Sequence, residues 1–239
     1  MELKILSKNE INLAIKDEIA SLLRRKPNAI LGLATGSSPV GVYEELVKAY
    51  QVRDISFNEV TSFNLDEYIG LEKGHPQSYR YFMDNNLFNH VNIIKSKTHI
   101  PSIDKNSEDY FEKYDNRIKD AGGIDFQILG IGSNGHIAFN EPGTDFNSLT
   151  HIVDLKESTI KDNSRFFNNI NEVPTKAVSM GLKSIMNAKR IVIIITGKNK
   201  ANALKRLMSK EITTDFPASI LNRHNKVTIY ADQDAASLL

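Results

Sequence analysis

The stretch Arg190-Ile191-Val192-Ile193-Ile194-Ile195-Thr196 predicts the fold more clearly than any other part of the chain. Its run of five apolar residues predicts a strand that is buried on both faces, which is typical of a parallel sheet. Further strands are predicted at residues 29–34, 60–65, 124–129 and 226–230. Helices are predicted at residues 9–26, 39–47, 76–88, 107–119 and 199–208. This alternation predicts an α/β protein, with one Rossmann-like domain across residues 1–239 and helices on both faces of a parallel sheet.

The composition excludes several classes of protein. With 30 basic and 29 acidic residues the formal charge is +1, so the chain lacks the basic excess of a protein that coats nucleic acid. No apolar run approaches the ~20 residues that cross a bilayer, and residues 1–10 lack the features of a signal peptide. The absence of cysteine excludes disulfides and zinc–thiolate sites, and the histidines show no metal-ligand spacing. We therefore expect a cytoplasmic, metal-free protein that binds neither nucleic acid nor membrane.

The segment Ala34-Thr35-Gly36-Ser37-Ser38-Pro39 links a predicted strand to a helix. Ser38 suits the N-cap and Pro39 the first helical position, so the turn would present a helix N-terminus with free amides. Gly36 allows the backbone to approach a ligand closely, and the hydroxyls of Ser37 and Ser38 can donate to oxygen atoms. The segment predicts a phosphate cradle, although a turn without a ligand is the alternative.

The segment Phe63-Asn64-Leu65-Asp66-Glu67-Tyr68 carries two adjacent carboxylates directly after a hydrophobic strand. Adjacent residues on a strand point in opposite directions, so only one of the two can face a given ligand. That side chain is a candidate general base at the carboxyl edge of the sheet. A solvated acidic turn is the alternative interpretation.

Glycines in Leu129-Gly130-Ile131-Gly132-Ser133-Asn134-Gly135 match the Gly-x-Gly-x-x-Gly pattern of dinucleotide-binding proteins. That pattern requires a long helix from the third glycine, and Pro142 ends any such helix within about two turns, which excludes a dinucleotide cofactor. The segment instead carries His136 and, five residues later, Glu141. A histidine with a nearby carboxylate is a candidate acid and base near neutral pH.

Arg165, Lys198 and Lys200 are the basic residues that could complete an anion site. The two lysines follow the strand at residues 190–196, which puts them at a carboxyl end, although a solvated position is ordinary for lysine. Arg165 lies among aromatic residues, which favours a functional role.

Together these strings resemble the glucosamine-6-phosphate deaminases of the glucosamine-6-phosphate isomerase family. The resemblance is carried, in the family's order, by residues 33–39, 63–71, 75–79, 132–143, 163–167 and 196–201. The string His136-Ile137-Ala138-Phe139-Asn140-Glu141-Pro142 is highly specific. The resemblance implies a hydrolase of amino sugar catabolism that needs no cofactor. Glucosamine 6-phosphate and water would become fructose 6-phosphate and ammonium, by an aldose–ketose isomerisation coupled to deamination in N-acetylglucosamine utilisation.

The resemblance also implies roles for individual residues. Asp66 would be the base that removes the proton from C2 and returns it at C1. His136 would open the pyranose ring by moving a proton between the anomeric hydroxyl and the ring oxygen, and Glu141 would orient and tune it. Residues 163–171 would form a mobile lid. The substrate phosphate would be held by Gly36, Ser37, Ser38, Arg165 and Lys200.

Two features depart from the family's pattern. Asn134, which we group with the catalytic residues, stands where the family often has Asp. An amide can hold a hydrogen bond but cannot stabilise imidazolium by charge, so we expect a lower pKa for His136 than in relatives with Asp. Longer members carry a C-terminal extension involved in hexamer assembly and allosteric activation by N-acetylglucosamine 6-phosphate. The sequence ends at Leu239, so we do not expect this activation, while a homo-oligomer stays open.

Two other functions compete with deamination. A 6-phosphogluconolactonase has the same architecture and a similar glycine–histidine segment, but it has no use for a base at C2. A sugar-phosphate-sensing domain that regulates transcription would need a DNA-binding module, and the residues before Ala29 provide only one helix. Release of ammonium from glucosamine 6-phosphate would separate these functions.

Overall fold

The strands of the described residues form a seven-stranded parallel sheet and a three-stranded antiparallel sheet. The computed structural model describes residues 1–72, 74–156, 160, 164, 167, 169 and 172–239. In chain order the strands are β1 (Glu2–Ile5), β2 (Ile30–Leu33), β3 (Thr61–Asn64), β4 (Asp66–Tyr68), β5 (Thr98–His99), β6 (Phe126–Leu129), β7 (His151–Asp154), β8 (Lys176–Ser179), β9 (Ile191–Ile195) and β10 (Val227–Ala231). The parallel sheet has the order β1-β10-β9-β6-β2-β3-β5, and the antiparallel sheet has the order β4-β8-β7.

Helices connect most of the parallel strands. In chain order they are α1 (Lys8–Arg25), α2 (Val40–Gln51), α3 (Tyr79–Met83), α4 (Phe111–Asp120), α5 (Leu182–Met186) and α6 (Ala201–Met208). Shorter helical segments are a π-helix at Asp84–Phe88 and 3-10 helices at Lys95–Lys97, Lys198–Lys200 and Pro217–Arg223. Across the residues that the structure describes, no helix combines the length and apolar character that a bilayer crossing requires.

The central strands are covered on both faces. Every residue of β2, β6, β9 and β10 is buried, which requires packing partners above and below the sheet. In α1, a capping box between Ser7 and Glu10 starts the helix, and Ile11, Ile15 and Ile19 enter the core. The predicted α/β fold, a Rossmann-like parallel sheet with helices on both faces, is confirmed.

The start of α2 differs from the prediction. The helix begins at Val40 with Pro39 as the N-cap residue, and no side chain caps it. The N-cap predicted at Ser38 is therefore wrong, because residues 37–39 already form a turn. The first amides of α2 consequently lack a side-chain acceptor within the described part of the chain, which leaves a helix N-terminus suited to an anion.

Two other helices are shorter than predicted. α3 begins at Tyr79 because the hydroxyl of Ser78 accepts a hydrogen bond from the N–H of Tyr81, 3.1 Å away. α4 begins at Phe111, since a turn occupies residues 107–110. In the second segment the turn also buries an apolar side chain, that of Tyr110.

The antiparallel sheet was not predicted. Its middle strand β8 and its short strand β4 pair directly, with Asp66 opposite Ser179. β4 has three residues and β7 has four, so neither carries a run or an alternation that sequence patterns detect. This sheet nevertheless holds the predicted base, because Asp66 is the first residue of β4.

The topology brings the predicted functional segments to one edge of the parallel sheet. β9, β6, β2 and β3 are neighbours in that order and run parallel, so the loops after their carboxyl ends begin side by side. These loops start at residues 196, 130, 34 and 65. They carry all of the predicted site residues except Arg165, at the edge where open α/β sheets bind ligands.

Candidate active site

Asp66 is a buried carboxylate, only 7% exposed. Among the described residues, no donor forms a hydrogen bond to its side chain. Burial raises the pKa of Asp66 well above its usual range, and the neighbouring carboxylate of Glu67 adds to the shift. A carboxylate in such a place is a stronger base than an exposed aspartate, as removal of a proton from carbon requires.

Glu67 is bound to the backbone instead. Its carboxylate accepts hydrogen bonds from the N–H groups of Tyr68, Tyr79 and Arg80, at 2.9, 2.9 and 3.0 Å. Burial raises the pKa of Glu67, and the three amide donors oppose that rise. Of the two adjacent carboxylates, Glu67 therefore ties β4 to the start of α3, and Asp66 is the one available as a base.

Asn134 lies between His136 and Glu141. Its Oδ1 is 2.8 Å from Nδ1 of the His136 ring and also accepts the backbone N–H of His136 at 3.1 Å. Its Nδ2 donates to Oε2 of Glu141 at 2.7 Å. The direct approach of Glu141 to the ring is longer, with Oε1 3.7 Å from Nδ1. The carboxylate therefore contacts the imidazole mainly through the amide of Asn134.

This bridge determines which nitrogen of His136 carries a hydrogen. A carboxylate only accepts hydrogen bonds, so the amide nitrogen of Asn134 must face Glu141 and the amide oxygen must face the ring. An amide oxygen also only accepts, so Nδ1 is the nitrogen that bears the hydrogen. In the neutral ring the lone pair is then on Nε2, which makes Nε2 the atom that takes up a proton.

The glycines of this loop make room for rings rather than for a dinucleotide. A Cβ atom on Gly132 would lie 2.2 Å from the His136 ring, and one on Gly135 would lie 2.1 Å from the ring of Phe216. Gly135 also has a φ of +89°. A Cβ on Gly130 would approach no atom closer than Oγ of Ser38, at 3.8 Å. The glycine pattern therefore has a packing cause that the residues alone did not indicate.

Strand β8 joins the Asp66 and His136 segments. Ser179, opposite Asp66 in the sheet, accepts the N–H of Phe139 at its hydroxyl oxygen, 3.2 Å away. The N–H of Met180 donates to the carbonyl just before Asp66, and the carbonyl of Met180 accepts Nδ2 of Asn140, both at 2.7 Å. Ser179 and Met180 thus hold the two segments in a fixed relation. No sequence signal marked them, because β8 itself was not predicted.

Three aromatic rings pack against one another beside these segments. Tyr68 lies 5.5 Å from Phe139 and 5.0 Å from Tyr79 between ring centroids, and Tyr79 stacks on Phe139 at 6.1 Å. Phe167 approaches Tyr68 at 6.3 Å. These rings make a largely apolar wall beside the buried base, which keeps the local polarity low.

The predicted phosphate cradle lies open at the start of α2. Gly36 has a φ of +89°, and no atom lies within 4 Å of the position of a Cβ there. Gly36 and Ser37 are exposed and Ser38 is half-buried. The uncapped amides of α2 and these hydroxyls offer donors to an anion on one side.

Of the two cations predicted to bind phosphate, the structure describes only Lys200. Lys200 is half-buried and lies after β9, where the short 3-10 helix leads into α6. Arg165 lies outside the described residues, as do most residues of the predicted lid at 163–171. Within the described ranges, no group of three histidine or carboxylate side chains could hold a metal ion.

Comparisons with known proteins identify the family of this chain. A family model described as glucosamine-6-phosphate isomerases/6-phosphogluconolactonase matches residues 7–230. The chain belongs to this family. One member, the glucosamine-6-phosphate deaminase of Clostridium perfringens strain 13, is 51% identical over 238 residues, which is 98% of each chain.

Two solved structures resemble this chain at different levels of sequence identity. A monomeric glucosamine-6-phosphate deaminase is 41% identical, with a TM-score of 0.96 and coverage of 100% of both chains. The 6-phosphogluconolactonase from Thermotoga maritima is 22% identical, with a TM-score of 0.76 and coverage of 97% of this chain and 98% of that one. At that identity, the second likeness shows the fold alone.

Proposed function

We propose that this chain converts glucosamine 6-phosphate and water into fructose 6-phosphate and ammonium. The observation that carries the proposal is the pairing of two features in one chain. A buried carboxylate without a hydrogen-bond donor among the described residues lies on a strand tied to the loop of an oriented histidine. Relatives about half identical in sequence bear the name of this activity. A lactonase would need the histidine but not the buried base.

Ring opening is the first step. Nε2 of His136 takes the proton of the anomeric hydroxyl and delivers it to the ring oxygen, so that the C1–O bond to the ring breaks and the aldehyde forms. Asn134 keeps the hydrogen on Nδ1 throughout, and Glu141 stabilises the transient imidazolium through the amide and directly.

Proton transfer between carbons follows. Asp66 removes the proton from C2, which gives an enolamine, and returns it at C1. The nitrogen-bearing carbon becomes an iminium, water adds to it, and ammonia leaves to give the ketone. C2 is oxidised as C1 is reduced, so the step needs no external oxidant or reductant and no redox cofactor. Net uptake of water at a carbon–nitrogen bond accounts for a hydrolase class.

The phosphate holds the far end of the substrate. Gly36, Ser37 and Ser38 would donate from one side, and Lys200 and Arg165 would supply positive charge. Interactions remote from the reacting carbons would hold the substrate in the site with C2 beside the carboxylate.

The test is ammonium release by the purified protein from glucosamine 6-phosphate, with no cofactor added. We expect ammonium and fructose 6-phosphate in equal amounts, and no reaction with unphosphorylated glucosamine at the same concentration. The Asp66→Asn variant is the matched control, since it preserves shape and removes the base. Absence of ammonium, together with hydrolysis of 6-phosphogluconolactone, would instead identify a lactonase.

A further inference from the structure

A second buried carboxylate, outside the catalytic groups described above, holds the loop that carries Lys200. Asp232 directly follows β10 and is 6% exposed. Its Oδ1 and Oδ2 both accept the N–H of Gly197, at 2.9 and 3.0 Å, and Oδ1 also accepts the N–H of Ala235 at 2.8 Å. Hydrogen bonds to an ionised acceptor are about twice as strong as those between neutral groups.

Gly197 connects this carboxylate to Lys200. Its N–H is bound by Asp232, and its carbonyl accepts the N–H of Lys200 at 3.0 Å. Gly197 also has a φ of +90°, a backbone conformation that residues with a Cβ rarely adopt. The position of the Lys200 backbone therefore depends on a residue whose N–H and carbonyl are both hydrogen-bonded.

Asp232 has no other recorded partner that would explain its burial. Within the described part of the chain, no ion pair includes it, and its side chain accepts hydrogen bonds only from these two backbone amides. The strand ends themselves are already joined, since the N–H of Asp232 donates to the carbonyl of Ile195. The carboxylate is thus not needed for this strand contact. Its bonds with Gly197 act on the turn that follows β9, while its bond with Ala235 closes the turn that follows β10.

We propose that Asp232 is a positioning residue for the substrate phosphate, because it holds Gly197 and thereby sets where the ammonium group of Lys200 lies. The proposal rests on the proposed function, in which Lys200 binds the phosphate. It predicts that loss of the carboxylate weakens binding of phosphate-bearing ligands while the chemistry at C1 and C2 continues at saturation.

Asp125 offers a matched control at the opposite edge of the sheet. It is also buried, at 9% exposure, and it accepts the backbone N–H of Ile30 at 2.8 Å and the amines of Lys26 and Lys189 at 2.7 and 2.8 Å. It precedes β6, so it lies away from the loops at the carboxyl edge. Asp125→Ala should lower the melting temperature and leave the KM unchanged.

The experiment compares Asp232→Ala, Asp232→Asn and Asp125→Ala in ammonium release. For Asp232→Ala we expect the KM, and the inhibition constant of inorganic phosphate, to rise together by about tenfold, with kcat within about twofold of wild type. Asp232→Asn should recover most of the affinity, because its Oδ1 can still accept both amides. A KM unchanged in Asp232→Ala, or a fall in kcat alone, would overturn the proposal.

A measurement on the wild-type protein covers the case in which Asp232→Ala does not fold. Hydrogen exchange at the amides of Gly197 and Lys200 should slow when inorganic phosphate is added, and the Ile30 amide should not respond. Unchanged exchange at Gly197 with phosphate bound would overturn the proposal. Failure of the proposed function is distinguishable from this result, because the wild type would then release no ammonium at all.

Discussion

At the scale of single residues, Asn134 connects the carboxylate of Glu141 to the ring of His136. Its amide separates Glu141 from His136 and satisfies both, with its nitrogen on the carboxylate and its oxygen on the ring. An amide in this place orients the imidazole without adding charge. The site therefore combines a fixed tautomer of His136 with the nearby carboxylate of Glu141.

Replacement of Asn134 by aspartate should move the pH dependence of the reaction. The new carboxylate would lose the donor that faces Glu141 at 2.7 Å, and its negative charge would raise the pKa of His136. The histidine must be neutral to take up a proton, so the limb of the kcat/KM profile that reports its ionisation should shift to higher pH.

Asn134→Leu serves as the control for this prediction. It removes both hydrogen bonds without adding charge, so kcat should fall and the limb should not move upward. A kcat/KM profile of Asn134→Asp that superimposes on the wild-type profile would contradict the assigned role.

At the scale of elements, the conformation of the loop after β6 should depend far more on Gly132 than on Gly130. Gly132→Ala would drive a methyl group into the His136 ring, and we expect kcat to fall by at least about tenfold. Gly130→Ala meets nothing closer than 3.8 Å and should stay within about twofold of wild type. Steady-state kinetics of the two variants check this, and equal losses in both would show that ring packing is not the cause.

The end of α2 provides a prediction about stability alone. Arg53 has a φ of +60°, and the N–H groups of Arg53 and Asp54 bond back to Tyr50 and Ala49 in the arrangement that usually has glycine. Arg53→Gly should raise the free energy of unfolding by about 0.5–1 kcal/mol, because left-handed backbone is strained in residues with a Cβ.

The measurement is denaturant unfolding, with Val52→Gly as control. Val52 has a φ of −85° and an exposed side chain, so glycine there should destabilise. Activity should be unchanged in both variants, since α2 ends at the edge of the sheet opposite the site. A less stable Arg53→Gly protein would contradict the assignment of strain.

At the scale of the whole molecule, the buried base should lower stability. Burial raises the pKa of Asp66 in the folded chain, so the unfolded chain loses that proton at a lower pH. Between the pKa of Asp66 in the unfolded chain and its pKa in the folded chain, the free energy of unfolding falls as pH rises. Above the folded-state pKa the whole of this loss in stability is present. Asp66→Asn should therefore melt at a higher temperature than wild type near neutral pH, with a difference that shrinks as pH is lowered.

Glu67→Ala provides the contrast in the same thermal melts. The carboxylate of Glu67 accepts three backbone N–H groups, which the variant would leave without this acceptor, so the variant should melt at a lower temperature than wild type. A lower melting temperature for Asp66→Asn as well would mean that Asp66 contributes to stability, which the absence of a donor among the described residues does not support.

The sequence predicted the parallel sheet well, but it did not predict the hydrogen bonds of Ser179 and Asp232 that hold the loops at the carboxyl edge of the sheet. A run such as Ile191–Ile195 must be buried on both faces wherever it lies, so its pattern alone reveals a central strand. Ser179 and Asp232 accept hydrogen bonds from the N–H groups of Phe139 and Gly197, which are distant in sequence, and such contacts exist only once the sheet has formed. The candidate base, histidine and phosphate loop could be predicted because each follows a strand and belongs to a family string. Their positions relative to one another could not be predicted.

The central claim is that Asp66 moves the proton between C2 and C1, and proton exchange tests it most directly. Fructose 6-phosphate and ammonium would be incubated with the protein in D2O, and the C1 protons followed by NMR. We predict that the wild-type protein replaces one C1 proton with deuterium, and that Asp66→Asn does so at least about 100-fold more slowly. Exchange at the wild-type rate in Asp66→Asn would contradict the account.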